Sequence, residues 1–361
     1  MLKKLCIQIN IKADNKAAKN FINNGFTSVQ TAKIDGIFQG QSVTVSLADG
    51  LPNELIYNAN SRHFGSFNKG SSKQSYPSSL MGSIALIRQT LSDSAWYQKA
   101  KGKTDHLITG EPVEYNAALE NLNELSRVGM MFDPEGHLSA MRADPLFAPY
   151  RVDVAYVADG HEYTRIKDIK ALNASFVVTP DFPKKPDVSS FEAQLDTSLA
   201  ELRHWERAPA NPAVLAENKI PFAFTHYGLK NSSDFWKQLK VALKHGLSEK
   251  DALAALTTTP AKLAGIDKDA GQLKPGMMAD FVIADGNLFK DGKIKQVYLQ
   301  GKKQELSPLF TPALSGEYGF NIGNELLTLK LKQTEKKVTG EIVKGDDKVK
   351  IKLHDQRDNQ M

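Results

Sequence analysis

The chain has 361 residues, 41% of them hydrophobic and 24% charged, which are ordinary globular values and exclude a collagen-like or largely disordered polymer. Its 46 basic and 41 acidic residues leave a formal charge of +5, spread along the chain rather than gathered into a basic patch, so no nucleic-acid partner is expected. No run approaches the roughly 20 apolar residues of a membrane-spanning helix, so no membrane partner is expected either, and the single cysteine, Cys6, rules out an intrachain disulfide or a cysteine-rich zinc site.

Met1–Asn10 starts with basic residues, but Gln8 and Asn10 interrupt its apolar core and no small-residue cleavage site follows. It reads as a poorly ordered or strand-like segment rather than an export signal. From Ser78 onward, Leu80, Ile84, Ile87, Leu91 and Ala95 recur every three or four positions and predict a helix, and Tyr115, Leu119, Leu122 and Leu125 predict another. The short apolar runs Val152–Ala158, Ala174–Thr179 and Ile220–Thr225 read as buried strands, each followed by polar residues and a helical pattern. That alternation predicts βα units and a parallel sheet, and both a closed barrel and an open doubly wound sheet satisfy it.

Phe235, Leu239, Ala242 and Leu243 mark a further helix, with Asn231 or Ser232 to cap its start and Gly246 to end it. Ser248–Asp251 resembles a capping box opening a short helix through Leu256, and Pro260 fits the first turn of one more, which Gly265 ends. The character then changes. Gln272–Gly276 is a turn, Asp280–Ala284 a strand, and Ile294–Leu299 an alternating strand ending near Gly301. Beyond Pro308 and Pro312, the stretches Leu326–Leu331, Val338–Val343 and Val349–Leu353 alternate apolar and polar residues, the pattern of a one-faced antiparallel sheet.

Three segments resemble the C-terminal signature of the amidohydrolase superfamily: Ala252–Gly265, Gly271–Ile283 with its G-x-L-x-x-G-x-x-A-D pattern, and Gly301-Lys302. Asp35–Gly40, Tyr76–Thr90, Arg203–Glu206 and Tyr227–Lys230 look like the degenerate first half of long, exported two-barrel proteins of the imidazolonepropionase-like branch. The resemblance implies a metal-dependent (β/α)-barrel hydrolase ancestry, acting on carbon–nitrogen bonds other than peptide bonds. It also implies a ligand set: a His-x-His on the first barrel strand, one histidine each on the fifth and sixth, an aspartate on the eighth, and often a bridging lysine or glutamate on the fourth.

The eight histidines are His63, His106, His137, His161, His204, His226, His245 and His354; the closest two are 19 residues apart, so no His-x-His exists. The strand equated with the sixth is followed by Pro180 and Asp181, and the one equated with the eighth gives Thr225-His226-Tyr227 where an aspartate belongs. His161, in Asp159-Gly-His-Glu162, follows the strand equated with the fifth. The pocket candidates are therefore His161, Glu162, Asp181, His226 and Tyr227. Either His161 and His226 form a two-histidine remnant with Asp181 or Glu162, or His161 caps a helix start and His226 lines a pocket. His204 reads as part of a packed helix end, His245 suits a helix C-terminus, and His63, His106, His137 and His354 have no partner spacing. No nucleophile elbow, dinucleotide fingerprint or phosphate loop is present.

These readings combine into an α/β chain: an incomplete TIM-like (β/α) barrel lacking its first strand (1–270), a small β-subdomain segment (271–306) and a C-terminal antiparallel β appendage (307–361). The expected function is that of a truncated, catalytically impaired amidohydrolase-family protein, a structural or binding half working beside a catalytic amidohydrolase half or as a homo-oligomer. Residues 1–12 or another chain would fill the missing strand. The alternative is an active hydrolase with a reduced site around His161 and His226, and only that alternative calls for zinc or another divalent metal.

Overall fold

The computed structural model describes residues 14–101, 113–309, 314–323, 325–334, 337–344 and 347–351. The chain divides into two units, Met1–Ser307 and Pro308–Met361. The first opens with helix α1 (Asn15–Ile22) and five short strands, β1 (Ser28–Thr31), β2 (Phe38–Gln41), β3 (Val43–Ser46), β4 (Ile56–Asn58) and β5 (His63–Ser66). Helices α2 (Leu80–Ala100), α3 (Ala117–Leu122) and α4 (Leu125–Val128) lead to β6 (Met130–Asp133), α5 (His137–Phe147), β7 (Val154–Val157), α6 (Ile166–Ala171) and β8 (Ser175–Val178). Next come α7 (Phe191–Asp196), α8 (Leu199–Arg207), α9 (Asn211–Glu217), β9 (Phe222–Phe224), α10 (Phe235–Lys244), α11 (Glu249–Leu256) and α12 (Thr258–Ala264). Strands β10 (Phe281–Ala284), β11 (Ile294–Leu299) and β12 (Lys302–Glu305) close the unit.

Local chemistry sets several of these boundaries. Ser79 Oγ accepts from Gly82 N at 3.2 Å at the start of α2, and Ser248 Oγ accepts from Asp251 N at 3.0 Å at the start of α11. Gly265 ends α12 at φ +69°, a left-handed conformation natural to glycine. Helix α10 differs from the sequence reading. A 3-10 turn over Ser232–Asp234 precedes it, and Asp234 occupies the cap position with no side-chain capping bond.

A six-stranded sheet in the order β2-β5-β6-β7-β8-β9 forms the centre, with β2 antiparallel to β5 and the others parallel. One face turns Met130, Phe132, Val154, Tyr156, Phe176, Val178, Phe222 and Phe224 onto helix residues such as Ile87, Leu146, Leu215 and Leu239. The other face places Met131, Ala155 and Ala223 against Leu263 of α12. Burial on both faces explains why β7, β8 and β9 read as unbroken apolar runs instead of alternating. Buried Arg62 pins this second layer: its Nε donates to Leu263 O at 2.9 Å and Nη1 to Asp153 O at 2.8 Å. At Gly65 a Cβ would lie 2.8 Å from Ile37 O, so the approach of β2 to β5 needs glycine.

The sheet is not closed, and β2 and β9 are its edges among the described residues. The architecture is thus a mixed α/β fold with an open sheet. Within the region read as a (β/α) barrel (1–270) the strands are not all parallel: β1, β3 and β4 form a separate antiparallel sheet in the order β1-β3-β4. Those strands are three or four residues long, too short to show a period. Their neighbourhood shares a core with the second antiparallel sheet, β10-β11-β12: Leu47, Ala48 and Leu55 pack with Val297 and Leu299, and Phe21, Ile22, Val29 and Ile294 pack against them. The small β region therefore draws on both ends of the first unit, not on residues 271–306 alone.

The second unit is an antiparallel sheet of β13 (Gly316–Ile322), β14 (Glu325–Thr334), β15 (Lys337–Lys344) and β16 (Asp347–Ile351), in that order. Three of these match the alternating stretches in the sequence. The fourth, β13, holds Gly316 and Gly319, which blur its alternation. Cys6, His106, His354 and the gap-filling role expected of residues 1–12 lie outside the described residues.

Candidate functional site

Parallel α/β sheets and barrels gather their chemistry at the carboxyl ends of the strands. Here β6 and β7 deliver the densest polar group. After β6, Asp133 Oδ1 accepts from Glu135 N at 2.9 Å, and the chain turns through Gly136 at φ +147° to begin α5 at His137. After β7, Asp159 Oδ1 accepts from His161 N at 2.9 Å, an Asx-type turn with Gly160 at φ +83°.

Asp159 joins the two loops. Its Oδ2 accepts from His137 N at 3.0 Å, and lies 2.9 Å from His137 Nδ1 and 3.7 Å from His161 Nδ1. Burial pushes this carboxyl up, but the His137 hydrogen bonds outweigh it and hold the group below the usual carboxylate range. His137, Asp159 and His161 each offer a ligand atom, and these atoms lie within 4.8 Å of one another.

The rings are stacked. His161 lies between His137, at 5.6 Å and 16°, and His204 of α8, at 3.7 Å and 4°. His204 Nδ1 is 3.1 Å from Tyr163 Oη, and burial, followed by the neighbouring His161, lowers its imidazole's proton affinity. Beneath them Glu162 is fully buried. Its Oε1 accepts from Asp159 N at 2.8 Å and its Oε2 from Asn211 Nδ2 at 2.6 Å, while Asn211 Oδ1 accepts from Tyr163 N at 2.9 Å. Burial first, then the Asp159 charge, push the Glu162 carboxyl up to about 7. Glu162 thus forms the floor of the cluster.

The other sequence candidates lie elsewhere. Asp181 is exposed after β8, its N–H donating to Thr179 O at 2.8 Å. His226, after β9, stacks 4.0 Å from Phe21 of α1 and 5.3 Å from Phe26. Its Nε2 is buried without a hydrogen-bond partner among the described residues, and burial lowers its proton affinity. Tyr227 is exposed; its N–H donates to Thr225 Oγ1 at 3.1 Å and its carbonyl accepts from Thr179 Oγ1 at 2.7 Å. No ring contact or hydrogen bond joins His161 to His226 among the described residues. His161 does hold the N-cap position of a 3-10 turn, but without a side-chain capping bond.

His137 and Asp159 are the residues that sequence reasoning missed. A signal existed: β6 pairs with β7 at Met130↔Val154, an offset of 24 residues, and His137 and His161 are separated by the same offset. Equal loop lengths in consecutive βα units carry the two histidines to matching places. Metal-ligand spacing within one strand or helix does not reveal such a pair.

The metal set implied by the family resemblance does not fit this chain. There is no His-x-His, β8 is followed by Thr179-Pro180-Asp181 with no histidine, and β9 ends in an imidazole packed on phenylalanine rings rather than in an aspartate.

Residues 151–303 match the model of the amidohydrolase family. No curated protein matches the chain significantly. Among solved structures, an amidohydrolase from Thermotoga maritima MSB8 aligns with a TM-score of 0.66 at 19% identity, covering 82% of this chain and 76% of that one. A second amidohydrolase gives a TM-score of 0.40 at 14% identity with 68% of each chain covered, and a prolidase complexed with N-methylphosphonate-L-proline gives 0.39 at 14% with the same coverage; these two add nothing to the fold assignment. The Thermotoga structure supports the fold, and the stretch from β7 to β12 is similar to the amidohydrolase family.

Proposed function

We propose that this chain is a catalytically impaired amidohydrolase-family protein that serves as a structural or binding half, beside a catalytic amidohydrolase partner or a second copy of itself. The observation that carries this reading is the packing of His226 on Phe21 and Phe26, with Nε2 buried. Hydrolysis of an amide by this family's chemistry needs a metal-bound water and a positioned group to take its proton. The last-strand position that would serve that chemistry is closed over by aromatic rings. Its nearest sequence candidates, Asp181 and Tyr227, face solvent.

The partner enters through the open sheet. The edge of a sheet is a natural place for another chain to pair, and β9 is an edge strand among the described residues. An incomplete barrel completed by that partner is part of the same proposal.

The test is a hydrolysis screen with N-acyl amino acids, dipeptides and cyclic imides, run with added Zn²⁺ and Mn²⁺. The expected rate equals that of the metal alone. Turnover that disappears in both His161→Ala and His226→Ala would establish the reduced-site hydrolase instead.

A further inference from the structure

We infer that His137, Asp159 and His161 form a mononuclear site for a divalent transition metal, set across the loops after β6 and β7. Two imidazoles and one carboxylate are borderline donors of the kind zinc and its first-row neighbours take. Zinc bonds to nitrogen and oxygen of about 2.0–2.2 Å in a tetrahedron place ligand atoms about 3.4 Å apart. Asp159 Oδ2 is 2.9 Å from His137 Nδ1 and 3.7 Å from His161 Nδ1, so the observed spacings bracket that value. The third spacing, between the two imidazoles, is at most 4.8 Å, and the ion would take the place of the His137–Asp159 hydrogen bond.

The surroundings hold the three ligands in place. The far nitrogen of His137, Nε2, is 3.4 Å from Thr164 Oγ1. Asp159 keeps its Oδ1 on His161 N, and its own N–H is held by Glu162, which Asn211 anchors in turn. His204 lies flat against His161 at 3.7 Å and orients that ring. Supports of this kind, outside the ligands themselves, are what fix ligand geometry in metal sites. Access is open as well: the side chains of His137, Asp159 and His161 are 16%, 28% and 41% exposed.

This donor set differs from the one the family resemblance implies, since His137 opens a helix and Asp159 belongs to a loop turn. The inference is independent of the proposed function, because an ion with three protein ligands can serve structure or binding without turnover.

The experiment uses the full chain freed of metal by dialysis against dipicolinate. Co²⁺ is added while visible absorption is followed, and Zn²⁺ is titrated by calorimetry. The expected result is one equivalent bound, with His/carboxylate d–d bands. His137→Gln and His161→Gln should each weaken binding about 100-fold or more, beyond the roughly 10–100-fold that loss of a supporting partner costs. His204→Ala should weaken it about 10-fold. His226→Ala should leave it unchanged. Far-ultraviolet circular dichroism of each variant checks folding, and the two glutamine variants carry the test if an Asp159→Asn chain does not fold. Absence of binding in the wild type, or binding that survives His137→Gln and is lost in His226→Ala, would overturn the site. Metal bound without amide turnover keeps both readings; turnover would remove the proposed function alone.

Discussion

The carboxyl edge of the central sheet differs between its two halves. At β6 and β7 the loops converge: His137, Asp159 and His161 meet, His204 stacks on them, and Glu162 with Asn211 forms a buried floor. At β8 and β9 the loops meet only through Thr179 Oγ1 donating to Tyr227 O among the hydrogen bonds described above, with Asp181 and Tyr227 in solvent while α1 covers His226 with Phe21. One sheet and one edge thus give two outcomes. The first half keeps polar groups in mutual contact with an opening to solvent, and the second spends its histidine on aromatic packing. A histidine at the end of a barrel-type strand is informative only together with what its loop neighbours bring.

The comparison breaks most readily at the floor of the polar half. Asn211 is the partner of the buried Glu162 carboxyl and of Tyr163 N. Asn211→Ala leaves a buried group short of its donor and should destabilise the first unit by about 3 kcal/mol, measured by urea denaturation. An effect below about 1 kcal/mol would mean the floor does not hold the cluster together.

The amino edge offers a contrast. His63 is 2% exposed with Nε2 unpartnered among the described residues, and burial pushes its pKa down to about 4, against a small opposing pull from Glu124. The unfolded chain therefore takes up a proton below the ordinary histidine value of about 6.5, while the folded chain resists until about 4. Its contribution to stability is complete above pH 6.5 and is lost as pH falls from about 6.5 to about 4, on the order of 2–3 kcal/mol. His63→Leu should flatten that part of the stability–pH curve; an unchanged slope would place the acid sensitivity in other groups.

Phe21→Ala sharpens the comparison from the aromatic half. It should cost about 1–2 kcal/mol for a partly buried ring, and nuclear magnetic resonance should show the His226 imidazole titrating closer to its ordinary range once its burial is relieved. A His226 titration that does not move would show that another group encloses it. The smallest effect belongs to His204→Phe, which preserves a flat ring over His161 and loses only the bond with Tyr163 Oη, so stability should fall by no more than about 1 kcal/mol.

Much of the scaffold is legible in the sequence because its signals are local. The apolar runs at β7, β8 and β9, the serine caps of α2 and α11 and the Gly265 stop each follow from a few adjacent residues. Strands β1 to β6 are not anticipated, because they are three or four residues long and lack the longer unbroken apolar runs that mark β7, β8 and β9. At the site, His161 and Glu162 were visible through the Asp-Gly-His-Glu turn, whereas pairing His161 with His226 followed family expectation rather than chain geometry. The partnership of His137, Asp159 and His161 depends on the register of β6 against β7, a long-range fact that surfaces in the sequence only as the shared offset of 24 residues.

Anomalous diffraction at the zinc edge, from crystals grown with one equivalent of Zn²⁺, tests the central claim most directly. The account predicts a single strong peak bounded by His137, Asp159 and His161, and none at His226. A peak at His226, or none within reach of His137 and His161, would contradict it.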